Sequence, residues 1–564
     1  MKKLLSILSL VILCAGCNFL DFDETNGDYT REDMYKTFSN VKAMMTNIYG
    51  YMPDKDIMAV SSALRECGSD DAEYADPDAS VQRFGNGNWS AVSTVDTKWD
   101  LYNAVRAANE FLESIKTVDL SIYQYDSKYE DQMYQMSFYP YQARVLKAFY
   151  LFELARRYGD IPVPDHMLTI EEANSIGKQP FDKVIEFIVS ECDECAQALP
   201  TTYMVNELDK DFGRITKGIA LALKSRALLY AASPLHNPNN DPEKWRAAAK
   251  AALELMDLSA EKNLYSLDPD FLSDIVGSPE VIMCIMRDLD NSYEKVNFPP
   301  YFTFGRRTSM AGTYPTQNLV DAFQTLGGYD ITLTANGWKT DDPDFDITRP
   351  YEGRDPRFAK TILANGMTFQ KTNTIETFVG GRDYSATRAG LCTVTGYYLN
   401  KFINRNTSFV REDEHEYKHQ RVVFRYAEIL LNYAEAANEV LGPDGTDADL
   451  TRSAREVLNM IRTNATMPDI TVAGQEAFRD AVRRERRVEL AFEDHRFWDV
   501  RRWKIGQATQ TQINGVTIVK NGNNLEYSLK SVETRTWAEK MYLYPIPQSE
   551  LFCNPNLNPQ NTGW

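Results

Sequence analysis

The chain has 564 residues, 43% of them hydrophobic and 12% aromatic, enough apolar side chain to bury a large core. Its formal charge of −19 at pH 7 excludes nucleic acid and anionic bilayer surfaces as expected partners. Eight cysteines, irregularly spaced in a chain this long, are not a disulfide scaffold.

Lys2 and Lys3 precede an apolar-to-small run from Leu4 to Gly16 that ends at Cys17. The run is shorter than the roughly 20 apolar residues of a membrane span, so residues 1–16 read as a secretory signal. Ala15 and Gly16 directly before Cys17 are what a lipoprotein signal peptidase reads, although Cys14 stands where an aliphatic residue is commoner. Cys17 is therefore the expected lipidation site, and residues 17–30 a lipidated, polar tether. No second apolar stretch of spanning length follows, so attachment to a membrane is expected through lipid alone.

Residues 31–235 read as an N-terminal helical part. Val145, Ala148, Phe149 and Phe152 mark one helical face, with Arg156 and Arg157 in the last turn and Gly159, Pro162 and Pro164 beyond it. Cys192 and Cys195 lie in a periodic helix from about Phe181 to Leu199; two helix-face cysteines, open to bonding after export, suit them better than a redox or zinc pair. Ile219, Leu223, Ala227 and Tyr230 repeat the pattern between Thr216 and Pro234. Residues 236–410 change texture, with prolines, glycines, Asn/Asp clusters and short apolar runs such as 280–286, and read as a loop-rich variable part with short strands. Residues 411–564 return to helix: Tyr426, Ile429, Leu430, Tyr433 and Ala437 precede Gly442-Pro443. Alanines on these faces allow close helix approach, as in stacked helical hairpins of the tetratricopeptide type, though no fixed-period repeat is visible. Arg486, Glu489, Glu493 and Arg496, at spacings of three and four, are expected to form an ion ladder along one helix.

Three constellations bear on chemistry. His415-Glu416-Tyr417-Lys418-His419 fits a zinc-hydrolase helix, but its flanks are charged on all sides and lack the apolar back such a helix packs against a core. Asp342, Asp344 and Asp346 alternate as in a calcium loop, yet Ile347 replaces the glycine and the closing glutamate is missing, which excludes an EF-hand and leaves looser calcium binding open. No phosphate-cradling loop or nucleophile elbow appears. Capture of a sugar needs only flat rings beside amide, carboxylate or guanidinium groups. Residues 84–96 offer Asn86, Asn88, Trp89 and Asp96, and residues 291–314 offer Tyr293, Tyr301, Arg306, Arg307 and Tyr314. Trp338, beside Gly337 and the aspartate-rich loop, completes the candidate ligand residues.

Several separated blocks together resemble the SusD/RagB nutrient-uptake lipoproteins of Gram-negative outer membranes. They include Cys17-Asn18-Phe19-Leu20-Asp21, Trp99-Asp100-Leu101-Tyr102 through Ala108-Asn109, Tyr158-Gly159-Asp160-Ile161-Pro162 and Asp355-Pro356-Arg357-Phe358. Glu485-Arg486-Arg487-Val488-Glu489 and the closing Pro545-Ile546-Pro547, Asn554-Pro555 and Gln560-Asn561 complete the set, which runs from the acylation site to the last residues. The resemblance implies a mainly α protein of tetratricopeptide-like hairpins with a loop-rich ligand face. It also implies a non-enzymatic role: capping a SusC-like TonB-dependent transporter and handing it an oligosaccharide or, in some members, a peptide. A secreted zinc hydrolase using His415, Glu416 and His419 is the remaining alternative.

Overall fold

The computed structural model describes residues 33–54, 58–203, 212–302, 312–370, 373–386, 392–409 and 414–564. The signal, Cys17, the whole tether, Arg306 and Arg307 lie outside the described residues.

Helices α1 (Phe38–Asp54), α2 (Tyr102–Ser114), α3 (Tyr139–Tyr158), α4 (Phe181–Ala198), α5 (Lys217–Ala232) and α6 (Pro242–Lys262) stack in chain order, and α7 (Tyr426–Leu441) continues the stack against α6. α8 (Ala454–Asn464) and α9 (Gln475–Glu489) then pack on α7. Local chemistry sets the ends. Gly159 leaves α3 at φ +74°, Gly442 leaves α7 at φ +75°, and the Thr216 hydroxyl caps α5 by accepting the Ile219 N–H. Of the 20 residues of α3, only Pro140, Tyr141 and Arg144 are not buried, so it is a central helix and not the one-faced helix that periodicity suggests. Ala143, Ala148 and Ala155 are fully buried on it and leave room for neighbours on several sides. Among the described residues no helix is long and apolar enough to cross a membrane.

Two boundaries differ from the sequence reading. α6 falls inside the stretch read as loop-rich, because Asp241-Pro242-Glu243 is a helix start, the Asp241 carboxylate accepting the Glu243 N–H at 2.9 Å. The part read as C-terminal helix also contains a long antiparallel hairpin, β3 (Gln512–Asn521) with β4 (Asn524–Thr534). The loop-rich side proper runs from Asn263 to about residue 420. It is pinned to the stack by β1 (Val281–Ile285), which pairs antiparallel with β2 (Arg421–Arg425) at the entrance to α7. Beneath that side lies a satellite core that includes Phe298, Tyr314, Phe369, Tyr398 and Phe409, separate from the main core of the helices.

The charged block near the C-terminus is not one ladder. α9 ends at Glu489, Phe492 and Asp494 take left-handed backbone angles (φ +61° and +63°), and a new helix covers Arg496–Arg502. The four charges then turn to three different segments. Arg486 binds Asp499 at 2.8 Å, Arg496 binds Asp70 at 2.8 Å, and Glu489 and Glu493 both receive Arg425. All four side chains are at least nine-tenths buried, so the block clamps the stack from inside.

Cys192 and Cys195 are buried on α4 and are not bonded to each other. Burial raises both thiols, Cys195 to about 12, so neither is reactive.

Candidate ligand cleft on the loop-rich side

Four of the ligand residues expected from sequence, Trp89, Asp96, Tyr314 and Trp338, are in the core. Trp89 is 3% exposed and packs edge-on against Phe84, Tyr544 and Trp564. Asp96 has no accessible side-chain surface and accepts from Arg65 at 3.0 Å, Arg157 at 3.2 Å and the Tyr544 hydroxyl at 3.2 Å. Tyr314 is in a strand paired with Glu73, its ring edge-on to Tyr398. Trp338 is walled in by Tyr351 and Tyr527, with the Arg354 guanidinium 5.5 Å over its ring. Asn86 and Asn88 are exposed, but they shape a turn, the Asn86 carboxamide oxygen accepting the Asn88 N–H.

Tyr293 and Tyr301 remain. Tyr301 is 43% exposed, with the Arg382 guanidinium 4.4 Å over its ring. Tyr293 lines a cleft of about 790 Å³, within the range of small-ligand sites. The cleft has two sides and a floor. The loop 269–276 and the short helix Pro356–Thr361 form one side, tied together by Lys360, whose Nζ donates to the Pro269 carbonyl and to Asp270. Residues 400–405 form the floor, where Phe402 sits at φ +62° and the Asn400 side chain accepts from Arg405 at 2.9 Å. The other wall is Tyr293 with residues 417–421: the Arg421 guanidinium lies 4.9 Å over the Tyr293 ring and the His419 ring is 5.7 Å away. Burial pushes the Tyr293 phenol well up, so it stays a neutral hydroxyl, near the Lys401 carbonyl.

Glu294 anchors the wall. Its fully buried carboxylate accepts the Asn404 N–H at 2.9 Å and lies 3.0 Å from His419 Nε2. Arg405 carries the surface outward: its guanidinium lies over Phe369 and donates to the Thr368 carbonyl. Thr368 is bridged to Thr374, whose carbonyl receives Arg382, the partner of Tyr301. The two arginines therefore bracket one small turn and link Tyr301 to the cleft. Rings, guanidinium groups, amides and a carboxylate facing one hollow can hold a hydroxyl-rich ligand by its apolar faces and polar edges.

The centre of the zinc-like motif is the strand Tyr417–Lys418, paired with Leu289–Asp290, so the one-turn helical spacing required of His415 and His419 is not present. Asp342 and Asp346 spend their carboxylates on nearby protein donors: Asp342 accepts from the Thr325 hydroxyl and the Asp344 N–H, and Asp346 accepts from Thr348 and Arg349. Among the described residues no group of three or more His, Cys, Asp or Glu is placed to hold a metal ion.

Sequence reasoning missed Phe402, Arg405, His419 and Arg421 as cleft residues. The one local signal was Asn404-Arg405-Asn406 following an aromatic, a composition that many turns share.

Residues 279–564 match the SusD family model, a stretch that supplies the cleft apart from the loop 269–276. The chain belongs to the SusD family. It is 23% identical to SusD-like protein P2 of Formosa agariphila across the whole of both chains. It superposes on a SusD-like protein of Bacteroides fragilis with a TM-score of 0.77 and 29% identity, covering 95% of this chain and 99% of that one. A SusD-like carbohydrate binding protein of the same organism has the same fold, with a TM-score of 0.69 and 24% identity, covering 93% and 100%. The fold is thus the SusD-like one of helical hairpins with a loop-rich side.

Proposed function

We propose that this SusD-family protein captures an oligosaccharide in the cleft around Tyr293. It delivers the sugar to a SusC-like TonB-dependent transporter in the outer membrane, where acyl chains on Cys17 hold it. The observation that carries the reading is the cleft itself: an aromatic ring under a guanidinium, with Asn400, Asn404, Arg405 and His419 converging on about 790 Å³. Sugars present C–H faces to rings and hydroxyl edges to such donors and acceptors. Family membership and a structurally similar relative that is a carbohydrate binding protein support the same reading. The chemistry is binding without bond making, so the protein is read as a non-enzyme.

The test is a binding screen of the purified protein against neutral and acidic oligosaccharides and peptide mixtures, with the ligand's mass checked afterwards. Saturable binding of an oligosaccharide returned intact is the expected result. Preference for peptides, or a cleaved ligand, overturns it.

A further inference from the structure

A second cavity of about 500 Å³ lies on the helical side and shares no lining residue with the cleft. Three segments enclose it: one face of α2, the loop 162–176, and the C-terminal stretch from Glu550 to Leu557. The loop is strapped to α2 by Tyr102, whose hydroxyl donates to the Pro162 carbonyl at 2.9 Å, and by Glu113, which accepts the Met167 N–H at 2.9 Å. Asn554 straps the C-terminal stretch to the same loop by donating to the Ala173 and Ile176 carbonyls. The walls are therefore fixed by hydrogen bonds.

Asn109 lines this cavity while only 2% exposed. Its Nδ2 gives its hydrogens to the Pro164 and His166 carbonyls at 3.3 and 2.7 Å. The opposite amide orientation would set oxygen against two carbonyls, so the orientation is determined by the network. Oδ1 is left as a buried acceptor with no donor among the described residues. Such an atom is costly unless something donates to it. Arg106, one helical turn earlier on the same face, is exposed, lines the cavity and makes no ion pair or hydrogen bond among the described residues. A buried acceptor without a donor thus lines the same cavity as an exposed guanidinium without a partner among the described residues. Trp99 and Tyr102 supply rings whose centroids are 5.1 Å apart. Arg106 and Glu550 bring one charge of each sign, and His166 is already held by Asp165.

We infer that this cavity is a second binding site, for a neutral, hydroxyl-bearing ring of mono- or disaccharide size. One hydroxyl donates to Asn109 Oδ1, another accepts from Arg106, and the apolar part of the ring packs into the angle of 58° between Trp99 and Tyr102. Hydroxyls both donate and accept, which suits this pair; a carboxylate or phosphate has no hydrogen for Oδ1.

The test is saturation-transfer NMR and titration of the protein with maltose, cellobiose, lactose and laminaribiose, with galacturonate as the charged control. Arg421→Ala weakens the cleft, and binding of at least one neutral disaccharide persists in that variant. Adding Arg106→Ala then weakens the residual binding about tenfold, and adding Asn103→Trp, at an exposed position on the rim, removes it. Residual binding that both added substitutions leave within twofold of its value overturns the inference. So does loss of all disaccharide binding on Arg421→Ala alone, failure of the wild type to bind any of the four, or stronger binding of galacturonate. Arg421→Ala without effect on oligosaccharide binding counts against the cleft and not against this site, so the two readings fail separately.

Discussion

Arg425 and Glu493 form a two-pronged ion pair inside the protein: Nε donates to Oε2 at 2.7 Å and Nη2 to Oε1 at 3.0 Å, with both side chains at most 2% exposed. The same guanidinium also binds Glu280, just before β1, and Glu489 at the end of α9. One side chain at the entrance to α7 therefore joins the loop-rich side to the last helices. Arg425→Met leaves Glu280 without its cation and removes one of two cationic partners from Glu493, which keeps Lys401, and from Glu489, which keeps Arg357; it is expected to cost about 3–5 kcal/mol, as breaking a buried pair does. Urea unfolding at pH 7 measures it. A loss below about 1 kcal/mol shows that the clamp is not what holds these segments.

Acid should loosen the same interior. Burial alone would raise the Asp96 carboxyl, but Arg157 and Arg65 outweigh it and hold it at about 2; burial also opposes Arg502 at Glu435, which is likewise held at about 2. Depressed carboxylates contribute stability that is fully present above their unfolded values near 4 and is lost as pH falls toward 2. Each is expected to contribute roughly 2–3 kcal/mol over that window. Unfolding midpoints for wild type and Glu435→Gln, followed from pH 5 to 2, should converge; a constant gap refutes the assignment.

His236 sets a separate window. Burial lowers its imidazole to about 3, with Lys244 adding to the effect, and its ring stacks on Phe181 at 3.5 Å. A histidine held neutral contributes stability present above its unfolded value near 6.5 and lost as pH falls toward 3. Glu66 works in the opposite sense: burial, and Asp494 beside it, raise its carboxyl to about 8, so its contribution fades as pH rises. The informative quantity is therefore the difference between wild type and His236→Gln. Between pH 6.5 and 5 wild type should lose about 2 kcal/mol relative to the variant, and parallel curves refute it.

The sequence made the helices legible because their stops are local: Gly159, the Thr216 cap and Gly442-Pro443 act on the backbone within a few residues. The ligand residues were not legible from the same kind of signal. Gly87, at φ +76°, and its asparagine neighbours report a turn, and the turn points the Trp89 ring inward. The spacing of Arg486, Glu489, Glu493 and Arg496 looks helical, but nothing in a period marks the left-handed residues Phe492 and Asp494 that break it. The cleft is assembled from Tyr293, Phe402, Arg405, His419 and Arg421, joined by β1–β2 pairing and by Glu294, contacts that no local pattern carries.

Burial changes what Trp89→Ala and Trp338→Ala should do. With 3% and 6% of their surface exposed, and unlike Tyr293 not lining the cleft, both rings are packing residues, and their removal is expected to cost about 3–5 kcal/mol. Neither should alter the affinity of the folded protein for an oligosaccharide. Weakened binding at unchanged stability would return these residues to the ligand surface.

The proposed membrane attachment rests on Cys17. A single acyl chain binds membranes only marginally, so lasting attachment needs more than one signal. Cys17→Ser, which removes the proposed acylation point, should move the protein from the membrane fraction to the soluble fraction. A variant that stays with the membrane refutes the lipid anchor.

Arg421 separates the cleft from the core that surrounds it. Its guanidinium lies 4.9 Å over Tyr293 and borders the hollow, whereas the next charged residue along β2, Arg425, is buried in the clamp. Arg421→Ala should therefore weaken oligosaccharide binding about tenfold, the effect of one lost charge-assisted contact of about 1.4 kcal/mol. Arg421→Lys, which keeps the charge but loses the flat stacking surface, should fall between wild type and alanine. Isothermal titration of the three proteins, with thermal unfolding as the control, decides it. Equal affinities place the ligand elsewhere, and a matching fall in unfolding temperature makes Arg421 a structural residue.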